Sequence, residues 1–570
     1  MTRPRLPVVL YWHMHQPHYR DALSGRYVFP WTYLHAIKDY VDMVAHLEAN
    51  PKARAVVNFT PVLIEQLEEL ALRVSRHLSH DEPLPDPVLA MLSTAPLPEV
   101  PEERLALLRA CLRAERRNLI ERHPVFAELV ALATSLGTPE QIGYASDQFL
   151  RDLAVWYHIA WMGETVRRTD LRIAALSERG RYFDAADRRK LLELIGELLA
   201  GLLPRYRRLY ESGQCELCVS PYSHPILPLL LDFEAARESE PAARLPAHAR
   251  YPGGAERAAW HMQEALRVFE RVFGRAPRGC WPSEGAISEA ALEVIEDAGI
   301  EWVASSSGVL RGALEKSGET LGPDVLATDR LLNRAHRPAQ RRLSCFFRHD
   351  TLSDLIGFTY SSWHGDDAAR HFVGELERLA DHLDPADGAV VLVALDGENA
   401  WEYYPYNGYY FLSAMYKLLA DSPRLELTTL SGVLDHAAAP PRPLPRVRAG
   451  SWVHGTLSTW MGDPAKNYGW DLLCEAKLAY DRVLASGSLT SVEREAASHQ
   501  LAQCESSDWF WWFGDYNPAE AVRDFDLLYR HQLTNLYRRL KLEPPAALDE
   551  RISFGQGSPD AGGVMRRAQE

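Results

Sequence analysis

Seven short apolar runs, each bounded by turn or polar residues, recur along the 570-residue chain: Pro7–Trp12, Arg54–Asn58, Cys215–Val219, Arg278–Trp281, Glu301–Ala304, Leu355–Tyr360 and Ala389–Leu395. Near-continuous apolar runs of this length read as strands buried on both faces, the habit of parallel sheets. Helical periodicity separates most of them, for example Ala258–Val272 before the fourth run and Glu289–Ala298 after it. Strands alternating with helices predict a parallel α/β architecture. Polar and acidic residues follow most of the runs rather than one. That favours a barrel, which builds its site at the C-terminal strand ends, over an open sheet with a single crevice. No G-x-G-x-x-G or Walker-type loop is present, which argues against a nucleotide-binding fold.

Between the second and third runs lies an insertion of mostly helical character, about residues 64–210. It carries Pro-rich breaks at Asp81–Pro87 and Pro96–Pro101 and packed-helix periodicity at Phe149–Met162. The stretch Pro440-Pro-Arg-Pro-Leu-Pro445 reads as a linker. It divides a catalytic barrel over residues 1–437 from a C-terminal helical domain over 438–542, with helices at Trp470–Ala485, Ser491–Cys504 and Pro518–Lys541. From 543 to 570 the Pro, Gly, Ser and Ala content predicts a frayed tail.

Hydrophobic residues at 46% and charged residues at 24% fit a soluble globular protein. A net charge of -15 disfavours nucleic acid and anionic membrane, both of which select basic surfaces, and is indifferent to a neutral polymer. The N-terminal apolar run ends at His13, too short for a signal peptide, and no later stretch approaches a membrane span, so the cytoplasm is the expected compartment. Seven scattered cysteines fit a reducing environment. Cys215 and Cys218 have C-x-x-C spacing, but in a strand they face opposite sides, and no Cys/His quartet completes a zinc site.

Two acidic residues stand in distinctive company: Glu284 in Gly-Cys-Trp-Pro-Ser-Glu-Gly (279–285), and Asp396 in Val-Ala-Leu-Asp-Gly-Glu-Asn-Ala-Trp-Glu-Tyr-Tyr-Pro (393–405). Each follows a buried run and sits among Gly, Pro and aromatic residues. Cleaving a glycosidic bond needs one group to protonate the leaving oxygen and another to meet the oxocarbenium-like carbon. Rings such as Trp281 and Trp401 suit the apolar face of a pyranose. His13 and His15 share one face at the exit of the first strand, a geometry for gripping a small polar target. Glu216, inside an apolar strand, reads equally as a buried structural partner or as a site residue touching sugar or His15. Asp354 is a strand cap or a site residue; Glu398 and Trp401 share the Asp396 loop, whereas Glu402 reads as solvated or structural. The aromatic stretches 458–463 and 506–515, with Trp460, Asp508 and Trp509, read as core or as a cleft wall.

With those residues in hand, the chain resembles family 57 of the glycoside hydrolases. His-Gln-Pro (15–17), the Glu216 strand, Trp-Pro-Ser-Glu (281–284), Leu-Asp-Gly-Glu-Asn-Ala-Trp-Glu (395–402) and the C-terminal aromatic stretches follow the family's order. The resemblance implies an incomplete (β/α)7 barrel with a helical insertion and a C-terminal helical region. It further implies a retaining enzyme acting on α-glucans, with Glu284 as nucleophile and Asp396 as general acid/base. His13, His15, Glu216 and Trp401 would line the sugar site, and no metal or cofactor is implied. Two departures bear on substrate contacts: Ala304-Ser-Ser-Ser-Gly after the fifth run, where many relatives carry an acidic pair, and His349 in a place often held by Asp. Hydrolysis is the leading expectation because Pro-Ser flanks Glu284. Transfer to a sugar acceptor, a His13/His15 metallohydrolase or deacetylase, and a non-catalytic glucan binder are the alternatives.

Overall fold

The computed structural model describes residues 4–319, 321, 324–557 and 565. Its strands are β1 (Leu6–Met14), β2 (Ala55–Phe59), β3 (Cys215–Val219), β4 (Gly279–Cys280), β5 (Trp302–Ser306), β6 (His336–Pro338), β7 (Ser344–Arg348), β8 (Val391–Asp396), β9 (Leu425–Leu427) and β10 (Arg442–Leu444). Seven of them, β1, β2, β3, β4, β5, β7 and β8, pair in parallel in that order, and β8 returns to β1 to close a barrel. The β7–β8 seam is thin, a single register pair Arg348↔Leu392 reinforced by the His349 N–H on the Leu392 carbonyl at 2.7 Å. β9 adds outside β1, and β6 runs antiparallel to β7 and carries β10.

Six of the seven expected strands are present. The exception is Leu355–Tyr360, which forms a π-turn (Leu355–Thr359) and the start of a 3-10 turn, continuing the helix Asp350–Asp354. The His349 imidazole accepts the Leu352 N–H and starts that helix, so the apolar run is carried on as helix. Periodicity alone does not separate a short apolar helix from a strand. The sixth barrel strand is instead Ser344–Arg348, fully buried but begun and ended by polar residues that mask it. Asp354 accordingly closes a helix rather than opening a strand.

Alternation along β1 sorts the core. Val9 and Tyr11 point into the barrel with Val56, Cys218, Trp302 and Phe346, while Leu10, Trp12 and Met14 face the surrounding helices. Cys215 and Cys218 fall on opposite sides, and all seven cysteines are buried free thiols. Gly279 is required by packing, because a Cβ there would lie 1.9 Å from the Trp302 indole. Helices from Pro61 to Glu211 fill the insertion, the longest being Ala185–Glu211. No described helix is long and apolar enough to cross a membrane.

The C-terminal helices Pro464–Ser486, Ser491–Cys504, Asp508–Trp512 and Ala519–Arg539 lie against the barrel. Within the Pro-rich stretch, Arg442–Leu444 is paired as β10. Residues 543–557 of the expected tail include buried Leu548 and Ile552, whose N–H reaches Asp526; 558–564 and 566–570 lie outside the described residues. The joint between the two regions is an ion cluster. Glu505, fully buried, accepts from Arg257 Nε at 2.9 Å and Nη2 at 2.8 Å, Tyr251 Oη at 2.5 Å and His261 Nε2 at 2.7 Å. These contacts hold its carboxyl down to about 2 despite burial; burial also keeps His261 below its ordinary value, leaving Arg257 as the certain cation. A carboxylate so depressed contributes stability above its unfolded pKa and loses it as pH falls toward 2. Glu505→Gln should cost about 3 to 5 kcal/mol, because it strands a buried guanidinium. It should also flatten the fall in melting temperature between about pH 4.5 and 2.5; an unchanged acid limb would refute the assignment.

Candidate active site

The barrel register sets three polar side chains level at its C-terminal end. His13 on β1 is paired with Asn58 on β2 and Asp396 on β8. Asn58 gives its amide N–H to the Cys218 carbonyl and presents Oδ1 to His13 Nδ1 at 2.6 Å, where Ser220 Oγ also donates. His13 therefore carries its proton on Nδ1 and leaves Nε2 as an acceptor. Burial and the neighbouring His15 push its pKa down to about 3. His224, fully buried after β3, stacks on His15 at 4.0 Å and His13 at 5.1 Å and is likewise driven well below the ordinary value. Imidazoles this dry are neutral at working pH.

Asp396 ends β8. Gly397 then folds its N–H back onto the His13 carbonyl at 2.7 Å, and a Cβ there would lie 2.2 Å from the Met14 sulfur. The Asp396 carboxyl accepts from Asn399 Nδ2 at 2.8 Å. Burial raises it to about 6, with Asn399, His15 and Arg348 pulling the other way. Glu398, more deeply buried, is raised further by burial and by Asp396; its Oε1 accepts the His15 N–H at 3.1 Å and Gln16 Nε2 at 3.2 Å.

Glu284 sits on the turn Ser283–Gly285 just past β4 with φ +58°, a left-handed conformation that non-glycine residues rarely keep without support. The support is a neighbouring loop: the Trp452 N–H donates to the Glu284 carbonyl at 2.9 Å, and the Trp452 indole N–H donates to Oε2 at 2.9 Å. His224 Nδ1 lies 3.7 Å from Oε1. The serines that replace an acidic pair brace these loops: Ser305 Oγ donates to the Gly285 carbonyl, Ser306 Oγ to the Ser451 carbonyl, and Ser307 Oγ to Asp350. Asp350 holds Arg348 at 2.7 Å, and that guanidinium lies 4.9 Å over the Trp452 ring and 3.8 Å from Asp354.

A cavity of about 580 Å³ opens over these groups, walled by Phe29, Trp31, Trp161, Phe358, Tyr403, Trp452, Trp511, Trp512 and Phe525. Of the residues expected from sequence, His13, His15, Glu284, Asp354, Asp396, Glu398 and Asp508 line it. Five do not. Glu216 lies deeper in the barrel, where Trp302 Nε1 and the Ser431 N–H each donate to it at 3.0 Å and Ser431 Oγ also donates; this is the structural alternative, and the His15 contact is absent. Trp281 forms the layer beneath, against Tyr11 and Trp452. Trp401 packs on Trp12, its indole N–H on the Gly397 carbonyl. Trp460 and Trp509 are fully buried core of the helical region. The four tryptophan rings turn inward and fill core volume. The residues that sequence did not single out are Trp452, His224, Arg348, Asn399, Trp511 and Trp512. Asn399, Trp511 and Trp512 lay within the stretches 393–405 and 506–515; His224 and Trp452, on loops past the strands, carried no signal.

His15, His224 and Asp508 place one donor atom each within 4.8 Å of one another, a set a metal ion could use. The two rings are stacked, 23° apart, so their edges run side by side instead of converging, and His15 Nε2 already bonds Asp508 Oδ1 at 2.9 Å. The arrangement suits hydrogen bonding to hydroxyls better than tetrahedral coordination.

Comparison with known proteins agrees with this architecture. The structure superimposes on a GH57 branching enzyme from Thermococcus kodakaraensis crystallised with glucose and additives (TM-score 0.59, 16% identity, 94% of this chain and 90% of that one). It does so on a GH57-type branching enzyme from Pyrococcus horikoshii (0.57, 16%, 99% and 100%) and on the α-amylase AmyC from Thermotoga maritima (0.54, 14%, 94% and 94%). Identities this low speak to fold. Residues 9–446 match the model of Glycosyl hydrolase family 57, three-quarters of the chain and every barrel strand but the first residues of β1. The chain belongs to Glycosyl hydrolase family 57.

Proposed function

We propose that the protein cleaves α-glucosidic bonds of α-glucans by double displacement, with Glu284 as nucleophile, Asp396 as acid/base and water as the final acceptor. The observation that carries this reading is the pairing, in one aromatic-walled cavity, of two carboxyls with different surroundings. Asp396 is dry and raised toward neutrality, as an acid must be. Glu284 receives an indole N–H, which favours an anion. Asp396 donates its proton to the glycosidic oxygen as Glu284 attacks the anomeric carbon, giving a covalent glycosyl-enzyme. Asp396, then ionised, takes a proton from water, which releases the sugar with retained configuration. Neutral His13, together with His15 and Asp508, meets sugar hydroxyls. Names of solved neighbours, two branching enzymes and an α-amylase, support the α-glucan class.

A second reading, transfer to a sugar acceptor, is favoured by the extent of the aromatic wall, since Trp31, Trp161, Trp511 and Trp512 offer flat faces to an incoming glucan and displace water. The test is a product profile with maltoheptaose, amylose and pullulan in EDTA. Shorter oligosaccharides with new reducing ends establish hydrolysis; longer products without them establish transfer; no change on any of the three refutes the α-glucan reading.

The alkaline limb of kcat/KM should fall near pH 6, set by the Asp396–Glu398 pair titrating together. Asn399 pulls the Asp396 value down, so Asn399→Ala should move that limb to higher pH. A limb that stays in place or moves down would show that Asp396 is not the acid.

A further inference from the structure

We propose that the loop leaving the cavity carries a second carbohydrate-binding surface, a tyrosine platform that holds a polymeric α-glucan beside the active site; this rests on the α-glucan reading above. The segment Tyr403-Tyr-Pro-Tyr-Asn-Gly-Tyr-Tyr410 runs from the cavity wall to the protein surface. Tyr403 lines the cavity mouth, and Tyr406 and Tyr410 follow outside it, each over 40% exposed and packed edge to face at 5.5 Å. Rings this exposed leave much of their surface open to a ligand.

The platform is held rigid. Tyr406 and Asn407 both adopt left-handed backbone, φ +56° and +53°, a conformation costly for such residues. Asn407 stabilises it from below: its amide donates to Asp42 at 2.8 Å, and Lys38 Nζ donates to its oxygen at 3.1 Å. With Asn407 pinned inward, Tyr406 is turned outward. Buried Glu164 anchors Arg122 at 2.7 Å and Arg168 at 2.9 Å. Arg122 then lies 4.5 Å from the centre of the Tyr406 ring, and Arg168, stacked on Tyr409 at 4.2 Å and 5.1 Å from the centre of Tyr410, donates to the Tyr410 hydroxyl at 3.0 Å. Pre-ordered rings bind at low entropic cost.

Chemistry selects the occupant. The Glu164 carboxylate offsets one of the two arginine charges and both guanidinium groups are already engaged by it, while the whole chain is at -15, so the field around the patch disfavours an anionic ligand. Tyrosine faces flanked by guanidinium N–H donors match a neutral sugar, apolar on its ring face and hydroxylated at its rim. Continuity with the cavity through Tyr403 makes that sugar part of the same long chain.

The test uses full-length Tyr406→Ala/Tyr410→Ala, neither residue lining the cavity, with Tyr406→Phe/Tyr410→Phe as a stacking-competent control. Retardation in native gels containing amylopectin should weaken about tenfold in the alanine variant, roughly the contribution expected of exposed stacking rings, and stay near wild type in the phenylalanine control. Turnover of maltoheptaose should be unchanged. Equal retardation of the alanine variant and wild type would overturn the proposal. So would equal loss of maltoheptaose turnover, or a change in oligomeric mass, which would mark the patch as a copy–copy contact. If wild type neither binds nor turns over any α-glucan, the functional reading itself fails; if it turns them over and only the platform is silent, this inference alone does.

Discussion

Burial of the Asp396 carboxyl at the end of β8, with the Asn399 amide in direct contact, is the condition on which the proposed chemistry rests. A carboxyl in water would be ionised at neutral pH and useless as a proton donor. Here the barrel floor of Tyr11 and Trp281, the stacked neutral imidazoles of His13 and His224, and the Trp452 loop exclude water together. Arg348 is near enough to pull the value down, but Asp350 engages it directly at 2.7 Å, which limits that pull. The register of β1 with β8 makes the arrangement reproducible, since His13 and Asp396 sit level only in that pairing.

The C-terminal helices take part in this site as well as covering it. Glu505 is clamped to Arg257 and His261 on the helix that precedes β4, and the next residues run straight into the cavity. The Ser507 N–H donates to the His224 carbonyl at 3.1 Å, and Asp508 meets His15. An ion cluster that looks purely structural thus fixes the height at which Asp508 enters. Breaking it would loosen the sugar contacts proposed for Asp508 and lower stability together.

How much of this was legible in the sequence follows from what each signal encodes. Glu284 and Asp396 were readable because Gly and Pro beside a strand end mark a turn, and turns at strand ends are where barrels expose polar groups. The strand Ser344–Arg348 was not, since its polar ends hide a buried run, while Leu355–Tyr360 mimicked one. Glu216 showed that a carboxylate in an apolar strand announces burial without saying at which depth. Trp460 and Trp509, which read as core or as a cleft wall, are core, whereas Trp452, which holds Glu284, came from a loop whose position depends on packing between distant segments. Pairings across long sequence separations leave no local pattern to read.

The proposed double displacement requires Glu284 to form the covalent bond to sugar. A fluorinated α-glucosyl fluoride, which slows breakdown of the glycosyl-enzyme more than its formation, should add one sugar mass to the intact protein. Peptide mapping should then place that mass on the fragment containing Glu284, and Glu284→Gln should abolish labelling while Asp396→Asn does not move it. Labelling of Asp396, or complete turnover to a product of inverted configuration with no labelled protein, would contradict the account.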